Sequence, residues 1–150
     1  MPPPATEPRM SQDCVFCGIV SGEIPGRIVH ETEPAAAFLD ANPLAAGHTL
    51  VVPTDHHERL NDLPADVARE LYAAVQDVVP AVEAAVDAPA TTVAFNNGTA
   101  AGQEVPHVHC HVVPRFEDDG AGPIHAAFGD RPDLDDGELD AVAADVAELL

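Results

Sequence analysis

The sequence predicts an α+β domain: five antiparallel strands with helices packed on the sheet. Three features carry that expectation. Short extended segments rich in β-branched residues recur along the chain, one long run has apolar residues at three- and four-residue intervals, and the stretch HVHCHVV (residues 107–113) alternates histidine with apolar or sulfur side chains. A length of 150 residues suffices for one domain with a real core and is short for two.

Taken in order, residues 1–12 are rich in proline and polar residues without periodicity and read as a disordered tail, with 13–150 as a single domain. GRIVHET (26–32) and AAAFLDA (35–41) read as strands separated by Glu33-Pro34, where proline fixes a turn, and HTLVVP (48–53) is a third, closed by Pro53. Together they suggest an antiparallel meander. From Asp66 to Val86, the residues Val67, Leu71, Val75, Val78 and Val82 paint one face of a helix, and Pro80 inside that run should kink or split it. TTVAFNN (91–97) is a fourth strand and VPHVHCHVVP (105–114) a fifth, joined through NGTAAGQE (97–104). In LDDGELDAVAADVAELL (134–150), Leu139, Val142, Val146 and Leu149 fall at helical spacing, with acids at the start where the helix dipole favours them.

Charge narrows the partners. The chain carries 26 acidic residues against six basic ones, a formal charge of −20, and every basic residue is arginine. Non-specific binding to DNA or RNA needs cations that displace counterions, so a general nucleic-acid binder is disfavoured, whereas a nucleotide in a local pocket is not. With 46 % hydrophobic residues, the composition suits a folded protein adapted to high salt better than a disordered one. No apolar run approaches the roughly 20 residues that cross a bilayer, and no basic-then-apolar leader opens the chain. The expectation is a cytoplasmic protein with no membrane partner. Cys14 and Cys17, spaced C-x-x-C, suit a metal or redox site in a reducing compartment better than a disulfide framework.

Residues two apart on a strand share a face, so His107, His109 and His111 point one way and Val108, Cys110 and Val112 the other. At about 3.3 Å per residue, His107 and His111 lie roughly 13 Å apart along such a strand. That is too far for both to bind one ion at about 2.1 Å, so the three histidines divide their roles. A polar, solvent-facing strand is the plainer alternative, but the alternation and the glycine-rich loop directly before it favour a functional row. Cys110, on the apolar side, reads as a buried core residue.

The stretch NNGTAAGQEVPHVHCHVVPR (96–115) resembles the signature of the histidine triad (HIT) family, His-φ-His-φ-His-φ-φ with φ apolar. FLDANPLAAGHTLVVP (38–53) resembles that family's first nucleotide-binding segment, and CVFCGIVSGEIP (14–25) extends the match. The resemblance implies a HIT-like fold whose sheet joins a partner sheet in a homodimer. It also implies a hydrolase or transferase of the phosphoramidase or dinucleoside-polyphosphate-hydrolase type, acting on a purine nucleotide conjugate. In that scheme His109 attacks the α-phosphorus, His111 and His48 contact the phosphate, and Asn96, Gly102 and Gln103 lie along the phosphate and leaving group. Asp40 corresponds to a ribose-binding position, with turn chemistry ahead of Asn42-Pro43 an even alternative. Glu104 departs from the pattern, standing where many relatives carry a small hydroxyl residue, and an acid there repels phosphate unless it points away or is protonated.

Cys14 and Cys17 supply half of a tetrahedral zinc site, and the resemblance implies His107 and His56 for the other half, with His57 as the substitute for His56. Two reduced core cysteines without metal are the alternative. A redox pair is a third, although it wants a βαβ context that this segment lacks. Two further functional readings stand beside the enzyme: a nucleotide-binding scaffold with little turnover, and a zinc-dependent regulator.

Overall fold

Alternating side chains on two neighbouring strands organise the fold of the computed structural model, which describes residues 13–150; the expected tail, residues 1–12, lies outside the described residues. The strands are β1 (Ile28–Glu31), β2 (Ala35–Leu39), β3 (Thr49–Pro53), β4 (Ala90–Phe95) and β5 (Cys110–Arg115). They form one sheet in the order β1-β2-β3-β5-β4, antiparallel throughout, so the meander and the α+β class expected from the sequence are found. Ala35, Ala37, Val51, Cys110 and Val112 face helix α2 (Ala65–Val86), which presents Leu71, Ala74, Val75, Val78 and Val82. On the opposite face, Ala36, Phe38, Leu50 and Val52 pack with Cys14, Phe16 and Cys17 around helix α1 (Val15–Ser21). Burial on both faces explains why β2 and β3 read as continuous apolar runs in the sequence.

Three details differ from the sequence reading. Helix α1 was not foreseen: seven residues are too few for a periodic signal, and its ends are made by the Cys14 side chain, which accepts from the Cys17 N–H, and by Gly22 at φ 87°. Pro80 does not split α2, which runs on to Val86. Pro80 and Gln76 both lie on the exposed face, so the carbonyl of Gln76, four residues back, loses its helical donor where water can replace it.

The fifth strand starts at Cys110, five residues later than its pattern suggests. Pro106 has no N–H, the His107 N–H is drawn back to the Val105 carbonyl at 2.8 Å, and the Val108 N–H goes to the His57 carbonyl at 2.7 Å. His107 and His109 therefore precede the ladder, yet Val108 still packs with the core below α2, so the alternation of faces survives without the strand.

Contacts divide the chain into two compact units, one ending at Asp119 and the other Gly120–Leu150. The second holds a short 3-10 turn (Ile124–Ala127) and helix α3 (Asp136–Leu149), capped where Asp135 accepts from the Glu138 N–H at 2.8 Å. The apolar positions of α3 read from the sequence are present, and Leu139, Val142, Val146 and Leu149 are exposed. Among the described residues no helix is long and apolar enough to cross a membrane.

Candidate active site

The loop between β2 and β3 is drawn shut by its own backbone. The Asp40 N–H donates to the His48 carbonyl at 2.9 Å and the His48 N–H to the Ala45 carbonyl at 3.0 Å. Within it the Leu44 N–H donates to His48 Nδ1 at 3.0 Å, so the proton of the neutral imidazole resides on Nε2. That nitrogen lies 3.0 Å from His111 Nδ1 and donates to it, which leaves His111 with its own proton on Nε2. Burial lowers the pKa of both rings, that of His111 to about 4 with smaller contributions from His109 and His48, which keeps the relay neutral.

His109 is fixed in the opposite tautomer. Its Nδ1 donates to the His107 carbonyl at 2.7 Å, so that in the neutral ring the lone pair is on Nε2. The rings of His109 and His111 are 4.9 Å apart, and Phe16 meets His109 edge to face at 5.0 Å. A cleft of about 430 Å³ brings together Asp40, His48, Asn96, Gly102, His109 and His111. Asp40 also makes the turn contact weighed from the sequence, accepting from the Asn42 N–H at 2.8 Å, while its other oxygen lies 3.6 Å from His48 Nε2.

Gln103 is placed differently from the rest. Its Oε1 accepts from the Gly98 N–H at 2.7 Å, and its Nε2 donates to the carbonyls of Glu58 and Val105 at 2.7 and 3.0 Å. The side chain therefore staples the loop rather than lining the cleft. Asn97 acts similarly, accepting from the Leu60 N–H and donating to Asn61 Oδ1, both at 2.9 Å. Gly98 and Gly102, at φ 97° and 95°, give this loop a course that other residues resist, and Gly102 lies on the cleft wall. Sequence reasoning missed Phe16, Leu44, Leu50 and Val105, which form the apolar part of the wall. Only Phe16 offered a signal, as the aromatic residue between the two cysteines. A second, more apolar cleft of about 330 Å³ holds His30 and Asp77 but none of the histidine row.

The cysteines form a separate centre. The ligand atoms of Cys14, Cys17, His56 and His107 all lie within 4.8 Å of one another. His107 Nε2 donates to the Pro53 carbonyl at 2.9 Å, so the lone pair of Nδ1 faces Cys14 Sγ at 3.3 Å and Cys17 Sγ at 3.5 Å. His56 Nδ1 lies 3.4 Å from Cys17 Sγ. Around a tetrahedral zinc, sulfur and nitrogen ligands stand about 3.5 Å apart, so this donor set fits the ion. His57 is outside the cluster, buried, with Nε2 lacking a hydrogen-bond partner.

Asp40, His48 and His111 also group their ligand atoms within 4.8 Å. Because His48 Nε2 carries the relay proton, that trio is wired for hydrogen bonding rather than for an ion. Burial pushes the Cys110 thiol up to about 12, which makes it a core residue and not a nucleophile.

Comparison with known proteins matches this arrangement to a family. Residues 21–118 match the HIT domain. The chain is 45 % identical over 107 residues to the HIT-like protein MJ0866 of Methanocaldococcus jannaschii, covering 71 % of this chain and 82 % of that one. It is 36 % identical over 110 residues to adenylylsulfatase HINT3 of Arabidopsis thaliana, covering 73 % and 56 %. Among solved structures, a HIT family member from Bacillus subtilis superposes with TM-score 0.80 at 30 % identity over 93 % of this chain and 98 % of that one. A zinc-bound histidine triad family protein from Mycobacterium smegmatis gives 0.69 at 34 % identity over 92 % and 98 %. Held in this fold, with its histidines divided between a cleft and a cysteine cluster, the chain belongs to the histidine triad family.

Proposed function

We propose that the protein hydrolyses or transfers nucleotides by attack of His109 at the α-phosphate of a purine nucleotide conjugate, with release of a nucleoside monophosphate. The observation that carries this reading is the His109 Nδ1–H held by the His107 carbonyl, which aims a free Nε2 lone pair into a cleft shared with His111. As Nε2 bonds to phosphorus, the bond from phosphorus to the rest of the conjugate breaks and its electron pair leaves with the departing group; the ring becomes cationic, and the carbonyl stabilises it through the Nδ1–H. His111, fed by His48, offers its Nε2–H to the phosphate oxygens, where charge develops in the transition state. Asp40 takes the ribose hydroxyls, while Asn96 and the Gly102 backbone contact the phosphate side; Gln103 serves by shaping the loop. Water then attacks phosphorus, the N–P bond breaks, and His109 is restored. A relative named adenylylsulfatase supports an enzymatic reading.

Rapid quench with a labelled adenosine phosphoramidate should trap nucleotide on His109, and His109→Ala should abolish turnover. Full turnover by His109→Ala refutes the proposal, and tight AMP binding without hydrolysis of any conjugate favours a binding scaffold instead.

We infer also that Cys14, Cys17, His56 and His107 hold a structural zinc ion. The donor set supports it, as does the zinc-bound relative. Four protein ligands close the coordination sphere, so the ion ties α1 to the sheet and supplies no step of the reaction.

A further inference from the structure

We propose that Glu104 selects the group that departs from the α-phosphate, favouring an amine over a phosphate or sulfate. The inference rests on the reaction proposed above and deepens it. Glu104 lines two adjoining clefts: the histidine pocket with His109 and His111, and a second cleft of about 300 Å³ bounded by Glu58, Arg59, Gly98, Thr99 and Pro106. A conjugate longer than a nucleotide has to extend beyond the first cleft, and the second, the more polar of the two, meets it at Glu104.

The loop that carries Glu104 is held in place. Gln103 ties it to Gly98, Glu58 and Val105, and Gly98 and Gly102 set its course in left-handed φ. The Arg59 guanidinium lies against Gly98, so that a Cβ there would come within 3.2 Å of Nη2. The second cleft is thus lined by two acidic residues, Glu58 and Glu104, and one arginine, in a chain of net charge −20.

The two classes of conjugate differ in the sign of charge on the departing atom. In a phosphoramidate, the nitrogen takes a proton from solvent, the His109 Nε2–P bond forms as the P–N bond breaks, and the bonding pair goes to nitrogen. The amine departs neutral and later takes a second proton from water. A carboxylate beside the nitrogen while it is protonated and still bonded to phosphorus, where it bears positive charge, lowers the barrier. In a polyphosphate or adenylyl sulfate, the bonding pair goes to an oxygen whose negative charge grows, and the same carboxylate raises the barrier.

The test compares kcat/KM for an alkylamine phosphoramidate of AMP and for diadenosine tetraphosphate in the wild type, Glu104→Gln, Glu104→Asp and Arg59→Gln, with thermal melting to verify folding. Glu104→Gln should shift the ratio toward the polyphosphate by about fivefold, the upper end for a solvent-exposed charge contact. Glu104→Asp should keep most of the preference, and added salt should shrink it. An unchanged ratio in Glu104→Gln, with nucleotide still trapped on His109, overturns this inference and leaves the reaction standing. Loss of polyphosphate cleavage alone in Arg59→Gln also overturns it, because the cleft would then be reading anions. Failure of both conjugates to leave nucleotide on His109 overturns the reaction itself.

Discussion

Each histidine of the two centres owes its chemistry to the partner of one ring nitrogen. The Leu44 N–H, the His107 carbonyl and the Pro53 carbonyl assign the protons on His48, His109 and His107, and no pattern in the sequence could supply those partners. The neutral relay makes stability depend on acid. An unfolded chain protonates His111 near its ordinary 6.5, while burial holds the folded ring unprotonated down to about 4. Between those values the unfolded state binds the extra proton, so stability is greatest above 6.5 and falls as the pH drops toward 4. Burial of His48 acts in the same direction. Melting curves across about pH 4–7.5 should show this loss, and His111→Asn should make it less steep while His48 and His107 keep the remainder; an unaltered slope in the variant would mean that His111 is not responsible. The cleft brings together Asp40, His48, Asn96, Gly102, His109 and His111, which the family resemblance, not the pattern of the residues alone, had grouped. The role of Gln103 was not legible in the sequence, because it depends on which carbonyls the loop happens to offer.

Periodicity located the larger elements well and failed where local bonding overrode it. Helix α1 is too short to display any repeat of apolar positions, whereas Leu71, Val75, Val78 and Val82 announced α2 and all four are buried. The late start of β5 depends on backbone donors turned toward Val105 and His57, information that alternation does not contain. Pro80 is the element-scale exception that invites a test. It sits exposed in α2 and deprives the Gln76 carbonyl of a donor, so Pro80→Ala should raise stability by about 1–2 kcal/mol, less than the full proline penalty because proline also restrains the unfolded chain. Leu71→Ala, at a site 1 % exposed, should lower it by about 2–5 kcal/mol. Urea titrations of both variants check the contrast, and a destabilised Pro80→Ala would show that the proline is needed for packing.

For the whole molecule, the cluster of Cys14, Cys17, His56 and His107 joins α1, the segment after β3 and the approach to β5. If zinc occupies it, protein purified without chelators should carry one ion per chain, and chelation should lower the melting temperature while leaving most secondary structure intact. Metal analysis showing no stoichiometric ion would remove the proposal. Acidic composition pointed to a partner that is not a polynucleotide, but nothing in composition indicated that two centres would meet in one residue. His107 lends its ring to the cysteine cluster and its carbonyl to His109. Over evolutionary time such a residue cannot drift for one duty without being judged on the other. A lineage that abandons the cysteines must therefore find another way to hold residue 107 before it can keep the His109 ring anchored through Nδ1.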